Sequence, residues 1–384
     1  MNASGVTVTQ VCGRRELREF VMLPFRLYRS DPHWVPPLIS ERMAFLDPAR
    51  NPFFRHADVA LWLARRGGQV VGRISSHIDH LHDHTHGERV GMFGFFESEE
   101  DVTVADALLA RAREWCGACG AQFLRGPLSF SLNHECGLLV DGWDGPPTFM
   151  MPYNPPGYAT LLERFGLTKT MDLLSYTLRR SDIQGDPGKL PLELIARADA
   201  ARREHAVSVR LVDMGSFDTE AATALEIFRQ AWRSNWGFVA LSAREGAAIC
   251  RGLKRIVEPD LFFFAESGGV PIGFSVAAID VNQVLAHVGG RLFPLGWLKA
   301  LWYSRRITRL RLMLFGVLEQ HRGKGVEALL MLETLKAALA SRYPTLELSW
   351  ILESNTPVHH LITGVGAAYG IRVHRRYRIY QAAI

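Results

Sequence analysis

The sequence predicts a mixed α/β (α+β) fold, written as two copies of one unit in which a central mixed sheet is flanked by helices. Apolar strand-like runs and helical periodicity recur in the same order in the two halves: hairpin, strand, helix, strand, helical segment, strand. Each hairpin turns on a glycine pair, in Arg66-Gly67-Gly68 and again in Ser267-Gly268-Gly269. Between the halves lies the polar, Gly- and Pro-rich stretch Ser181–Pro191, the composition of a linker. The expected division is therefore 1–180, a linker at 181–206, and 207–384.

The first half opens with a helical entry segment, then Asp31-Pro32-His33-Trp34-Val35-Pro36-Pro37, whose prolines forbid a regular helix. Strands are expected at Val59–Arg65, Gln69–Ile78 and Val90–Glu97, an amphipathic helix at Val104–Cys116, and a strand from Gln122 to Arg125. After the Gly- and Pro-rich region at Asp141–Pro156 come a short helix at Tyr158–Phe165 and a strand at Leu173–Leu178. In the second half a strand begins at Val207 and a helix covers Thr219–Arg233. The hairpin strands are Leu261–Glu266 and Pro271–Ile279, and an apolar strand follows at Leu310–Leu318. From Val326 apolar residues return at helical spacing through Leu329, Leu330, Leu332, Leu335 and Leu339. A strand at Leu346–Leu352, a segment at Pro357–Gly364 and a strand near Arg372–Gln381 complete the chain.

A chain of 384 residues with 48% hydrophobic content is a globular protein long enough for two domains. The N-terminus lacks the apolar core of a secretory signal, and no apolar run reaches the ~20 residues of a membrane span. A cytoplasmic location, with peripheral contact on the inner face of the membrane, is the expectation. Five cysteines at scattered positions do not make a disulfide framework. The net charge of +5 suits an anionic cofactor or an anionic membrane surface. Basic residues cluster at Arg305, Arg306, Arg309 and Arg311, and at Arg372, His374, Arg375, Arg376 and Arg378, but in no nucleic-acid motif, so no nucleic-acid partner is expected.

The organising stretch is Arg309–Ala340, read as strand, basic glycine-bearing turn and helix. Such a turn lets backbone amides face outward at a helix N-terminus, where the dipole and unpaired N–H groups favour a phosphate or pyrophosphate. Its pattern, Gln320-His321-Arg322-Gly323-Lys324-Gly325, resembles the acyl-CoA pyrophosphate loop of the GNAT N-acyltransferases. The resemblance implies acyl-CoA or acetyl-CoA as co-substrate, held by Gln320, Arg322, Gly323, Lys324, Gly325 and Val326, with Val317, Leu318 and Asn355 along the rest of the cofactor. At the equivalent place the first half carries Glu97-Ser98-Glu99-Glu100-Asp101. Carboxylates there repel a pyrophosphate, so the first half is expected to be a degenerate copy that binds no CoA.

Further segments, including DPHWVPPL, NPFF, FGFFESEED, MPYNPP and RRYRIY, are similar to a bacterial tandem-GNAT family that includes ceramide synthases. That resemblance implies transfer of a fatty acyl group from CoA to a long-chain sphingoid-type amine. Two other readings share the loop: a small-molecule or peptide N-acetyltransferase, and a non-catalytic acyl-CoA-binding membrane adaptor.

By the same resemblance Asn235 and Trp236 lie on the acceptor side. Glu353, at a strand end, is the candidate base. The position where many relatives carry a tyrosine acid is Ile362 here, so Tyr380, or Tyr377, is the substitute. The insertion Val284–Arg306 is rich in Leu and aromatics, with Trp297 and Trp302 followed by Arg305 and Arg306. It reads as a membrane-surface helix, as the wall of an acyl-chain pocket, or as an extra core helix. His77, His80, His82, His84 and His86 with Asp79 and Asp83 read as a polar loop, and their alternating positions form no standard metal site, so none is assigned. Cys116 and Cys119 have C-x-x-C spacing without a second pair.

Overall fold

The computed structural model describes residues 5–182 and 190–384. In chain order the elements are β1 (Val6–Gln10), α1 (Gly13–Leu27), α2 (Ile39–Phe45), β2 (Ala57–Arg66), β3 (Gln69–Asp79), α3 (His80–His86), β4 (Val90–Ser98), α4 (Val102–Ala118), β5 (Phe123–Gly126), β6 (Leu138–Asp141), α5 (Tyr158–Arg164) and β7 (Thr168–Arg179). There follow α6 (Leu192–Glu204), β8 (Val207–Leu211), α7 (Phe217–Ala231), α8 (Ala243–Leu253), β9 (Val257–Ser267), β10 (Val270–Ile279), α9 (Asn282–Val288), α10 (Gly296–Ser304), β11 (Arg309–Val317), α11 (Val326–Ala340), β12 (Thr345–Leu352), α12 (Thr356–Tyr369) and β13 (Arg372–Ala383). Of the expected linker, residues 183–189 lie outside the described residues, and 192–204 form α6.

The chain divides into two compact units. The first comprises Met1–Leu173, Asn282–Tyr303 and Arg375–Ile384; the second comprises Leu174–Val281 and Ser304–His374. The insertion expected within the second half thus belongs with the first unit. Two hydrogen bonds fix it there: Asn282 Nδ2 donates to Pro147 O at 2.9 Å and Ile39 N donates to Gly290 O at 3.0 Å.

In the first unit the strand order is β1-β2-β3-β4-β5-β13, with β6 also paired to β13. Its hairpin closes on Gly67 and Gly68 at φ +56° and +82°, the double positive φ of a two-residue turn that matches strand twist. Helix α4 covers β3, burying Val104, Leu108, Leu109, Ala112 and Cys116 along one face. Burial of Val104, Leu108 and Leu109 contributes roughly 1.5–3 kcal/mol each. In the second unit the order is β12-β11-β10-β9-β8. The same hairpin recurs at Gly268 and Gly269, at φ +58° and +79°. Helix α11 lies against β9 and β10 and packs on α6. The phenylalanines Phe228, Phe238, Phe262, Phe264 and Phe274 form a core on the other elements of this unit.

The histidine-rich stretch is not a loop but the short helix α3, because the Asp79 carboxylate accepts the N–H groups of Leu81 and His82 as a cap. His77 and His82 are buried, and burial holds both rings down to about 4, neutral at physiological pH. Among the described residues no cluster of His, Cys, Asp or Glu could hold a metal ion, and no helix is long and apolar enough to cross a membrane. Much of the basic clusters is committed internally. Arg309 pairs with buried Asp280, Arg311 donates to Ser349, Arg375 to the carbonyls of Gly142 and Gly145, and Arg376 and Arg378 share Asp172.

Candidate active site

In the second unit β11 and β12 run parallel, but their ladder spans only Arg309–Leu312 with Thr345–Leu348. On the other edge of β11 the register with β10 shifts between Val276 and Ala277, leaving Met313 as the extra residue of a bulge. A bulge bends its strand, and here the bend coincides with the end of the parallel ladder. Beyond it a cavity of about 70 Å³ opens, lined from both strands by Met313, Phe315, Ser349 and Trp350. Trp232 closes one side. Its indole stands 5.9 Å from Trp350 and donates to Phe315 O at 3.2 Å.

Leu318 N is spent on Ile272 O. Since strand residues present their polar groups to alternate edges, Val317 faces the cleft edge and Leu318 does not. The carbonyl of Val317 accepts Arg322 Nε at 3.2 Å, and Arg322 Nη2 also donates to the carbonyl of Ala231, the last residue of α7. Arg322 therefore braces the turn. Gln320, Gly323 and Lys324 are exposed, whereas Gly325 and Val326 are buried.

Gly323 has φ +73°, and a Cβ there would meet nothing within 4 Å. Gly325 has φ +79°, and its Cβ would sit 2.3 Å from Arg197 O, so only glycine brings the turn this close to α6. Gly325 is the N-cap of α11 and supplies no side-chain cap. The matching helix of the first unit is closed differently. The Asp101 carboxylate accepts Thr103 N at 2.7 Å and pairs with Arg66 at 2.7 Å. The residues of the second unit thus fit a pyrophosphate at the N-terminus of α11, while at α4 a side-chain carboxylate already stands there.

Of the other sequence-predicted residues, Asn235, Asn355 and Ile362 line the cavity, and Asn355 Oδ1 caps α12 through Val358 N at 3.4 Å. Glu353 is partly exposed just past β12. Trp236 is partly buried and is not among the lining residues. Tyr380 and Tyr377 are buried in the first unit, where the Tyr380 hydroxyl donates to Glu163 at 3.0 Å. Burial, reinforced by that carboxylate, raises the Tyr380 hydroxyl above its usual range. Trp297 and Trp302 are 48% and 56% exposed on α10.

In the first unit the parallel ladder of β4 and β5 ends equally early, at Met92 and Arg125. The divergence is bridged, however. Leu128 N donates to Phe93 O at 2.7 Å, and a Cβ on Gly94 would lie 1.9 Å from Leu128 O. Beside this closed seam is a cavity of about 360 Å³ that sequence reasoning missed. One of its polar walls is Glu97, only 8% exposed. Tyr28 donates to its Oε2 at 2.6 Å, the Tyr158 hydroxyl shares its one proton between that oxygen at 3.1 Å and Ser98 O at 2.8 Å, and Arg73 Nη2 lies 3.6 Å from its Oε1. Burial, opposed by Arg73 and both tyrosines, raises Glu97 to about 6. The signal that could have found it is a charged residue within each of two apolar strands, VVGRISS and GFFES.

No protein-family model matches the sequence. The chain is 36% identical over 377 residues to Protein YghO of Escherichia coli (strain K12), covering 97% of this chain and 94% of that protein. It is 35% identical over 376 residues to the bacterial ceramide synthase of Caulobacter vibrioides (strain NA1000 / CB15N), covering 96% and 95%. Its fold is that of a tandem GNAT protein from the clavulanic acid biosynthesis pathway, at TM-score 0.57, 15% identity and 98% coverage of both chains. It is also that of a GCN5-related N-acetyltransferase from Sphaerobacter thermophilus, at TM-score 0.52, 12% identity, and 98% and 95% coverage. With both halves of the tandem fold present, and relatives this similar along almost its whole length, the chain belongs to the bacterial tandem-GNAT family of N-acyltransferases that includes the Caulobacter ceramide synthase.

Proposed function

We propose that the second unit binds acyl-CoA and that the acceptor is a long-chain, sphingoid-type amine. The observation that carries the donor assignment is the open N-terminus of α11, with Gly323 facing free space and Lys324 exposed, against the capped N-terminus of α4. Acyl-CoA supplies the activated acyl group. The first N–H groups of α11 and the Lys324 ammonium hold its pyrophosphate, backed by Gln320. Arg322 acts by bracing the turn on Val317 and Ala231.

The N–H of Val317 donates to the thioester carbonyl and stabilises the charge that develops there as the amine attacks. Glu353 takes the ammonium proton, directly or through water; the thioester C–S bond breaks as the amide C–N bond forms, and CoA leaves as a thiolate that takes up a proton from solvent. Asn235 and Trp236 flank the acceptor, and Asn355 fixes the start of α12 beside the cofactor arm. Tyr380, committed to Glu163, carries no step.

The acceptor assignment is supported by the name of the Caulobacter relative and by α10 with its approach. Phe293, Leu295, Trp297, Leu298, Leu301 and Trp302 are 47–79% exposed there, and the exposed Arg305 and Arg306 follow in sequence. Such a surface suits the interface of an anionic membrane, where a long-chain amine resides. Mass spectrometry of protein as isolated tests the reading. Bound long-chain acyl-CoA supports it, and acetyl-CoA alone points to small-molecule acetyl transfer.

A further inference from the structure

The cavity of the first unit lies in the copy with the capped helix, and the proposed acyl-transfer chemistry does not use it. Its volume, about 360 Å³, is that of a small-ligand site. At ~30 Å³ per water-sized group it has room for about a dozen heavy atoms. Most of the wall is apolar, from Trp34, Leu38, Phe45, Phe96, Met151 and Leu285. Three carboxylates, of Glu41, Glu97 and Glu135, face two guanidiniums, of Arg42 and Arg73. Arg42 is held by Glu135 at 2.8 Å. Arg73 spends Nη1 on Phe20 O and approaches Glu97 only to 3.6 Å, beyond hydrogen-bond distance.

Glu97, 8% exposed, thus lines the cavity with one oxygen, Oε2, taking the Tyr28 proton and a share of the Tyr158 proton, and the other, Oε1, lacking a short donor. A buried carboxylate needs its remaining lone pairs satisfied by a donor, and a cation does so best. The backbone at the cavity supplies a second, independent observation. Phe95 and Met150, both in its lining, hold φ of +48° and +61°, conformations that side-chain-bearing residues rarely adopt and that concentrate at ligand clamps.

We propose that this cavity is a binding site for an alkylammonium amphiphile, whose charged head docks on Glu97 Oε1 and whose first ten or so carbons fill the apolar chamber. The site deepens the reading of the acceptor as a long-chain amine and rests on it for its biological ligand. The insertion joins the two features. Leu285 of α9 lines the chamber, and α10, a few residues on in the same unit, presents the exposed Trp297 and Trp302. One segment therefore offers an exposed apolar surface and a wall of the chamber. Glu97 is ionised at neutral pH, since burial lifts it only to about 6. The groups facing it are Arg73 from β3, Tyr28 after α1, Tyr158 from α5, and the Arg42–Glu135 pair.

The test is calorimetry at pH 7.5 with decylamine, decanol and decanoate on the full chain. Decylamine is expected to bind one-to-one and at least tenfold more tightly than decanoate. Glu97→Gln should weaken decylamine at least tenfold and abolish the preference for amine over alcohol. Leu285→Trp, which fills the chamber, should weaken decylamine and decanol alike, and it answers the question if Glu97→Gln fails to fold. Unchanged decylamine affinity in a folded Glu97→Gln, or in Leu285→Trp, overturns the assignment, as does a wild-type preference for decanoate or the absence of saturable binding. Because no acyl transfer enters, failure here leaves the acceptor reading intact. Conversely, Glu97-dependent binding in a protein that acylates no long-chain amine sinks the acceptor reading, and with it the biological ligand, while the alkylammonium site stands.

Discussion

Asp101 closes the N-terminus of α4 with its own carboxylate, whereas Gly325, at the matching position of α11, offers no side chain at all. The two helices follow the fourth strand of their units, β4 and β11, so the difference isolates what the second unit gains. Its first-turn N–H groups are left to an incoming anion. Gly323→Glu places a carboxylate and bulk at that point, and calorimetry should show CoA binding weakened at least tenfold. Unchanged affinity contradicts the assignment. Gly323 at φ +73° is strained by any side chain, so Gly323→Ala is the control for backbone effects, and Gly325→Ala is expected to harm folding outright because its Cβ meets Arg197 O.

Glu353→Gln keeps the shape of the side chain and removes its basicity. The turnover number should fall by roughly 10²–10⁴ at neutral pH, with CoA affinity unchanged. Steady-state kinetics beside CoA titration checks this, and near-normal turnover removes Glu353 from the mechanism.

Replacing Trp297 and Trp302 with Ser should reduce sedimentation with anionic vesicles, and salt should weaken the wild-type binding by screening. Both rings are about half exposed, so the double variant should lose roughly 2–4 kcal/mol of packing, and vesicle binding is compared at a temperature where it stays folded. A lowered melting temperature with normal vesicle binding would assign these residues to structure instead.

Glu97 makes stability depend on pH with a defined sign. Its folded-state value, about 6, lies above the ordinary 4.5, so the folded protein holds the proton more tightly. The contribution is fully present below about 4.5 and is lost as pH rises through about 6, a change of about 2 kcal/mol. Glu97→Gln cannot titrate. Denaturant unfolding should show the wild type losing about that much relative to the variant between pH 4.5 and 7. A difference that stays constant across this range contradicts the burial argument.

The β11-turn-α11 stretch was legible because strand run, glycine spacing and helical period are all local in sequence. Helix α6 carried the same kind of signal, Leu194, Ala198 and Ala201 buried at helical spacing, but its polar surroundings read as linker. The histidine-rich stretch read as a loop because its composition outweighed the capping aspartate, Asp79. The docking of residues 282–303 onto the first unit was not legible, since it rests on distant pairings such as Ile39 with Gly290. In the sequence Glu97 is one charge in an acidic run. Its environment comes from Tyr28, Arg73 and Tyr158 on three other parts of the chain, and only folding brings these together.

The most direct measurement is product analysis. Purified protein is given a long-chain acyl-CoA and a long-chain 2-amino-1,3-diol, and the amide is quantified by mass spectrometry against Gly323→Glu. The account predicts amide formation coupled one-to-one to CoA release, lost in the variant. Release of CoA without amide, or amide formed equally well by Gly323→Glu, contradicts it.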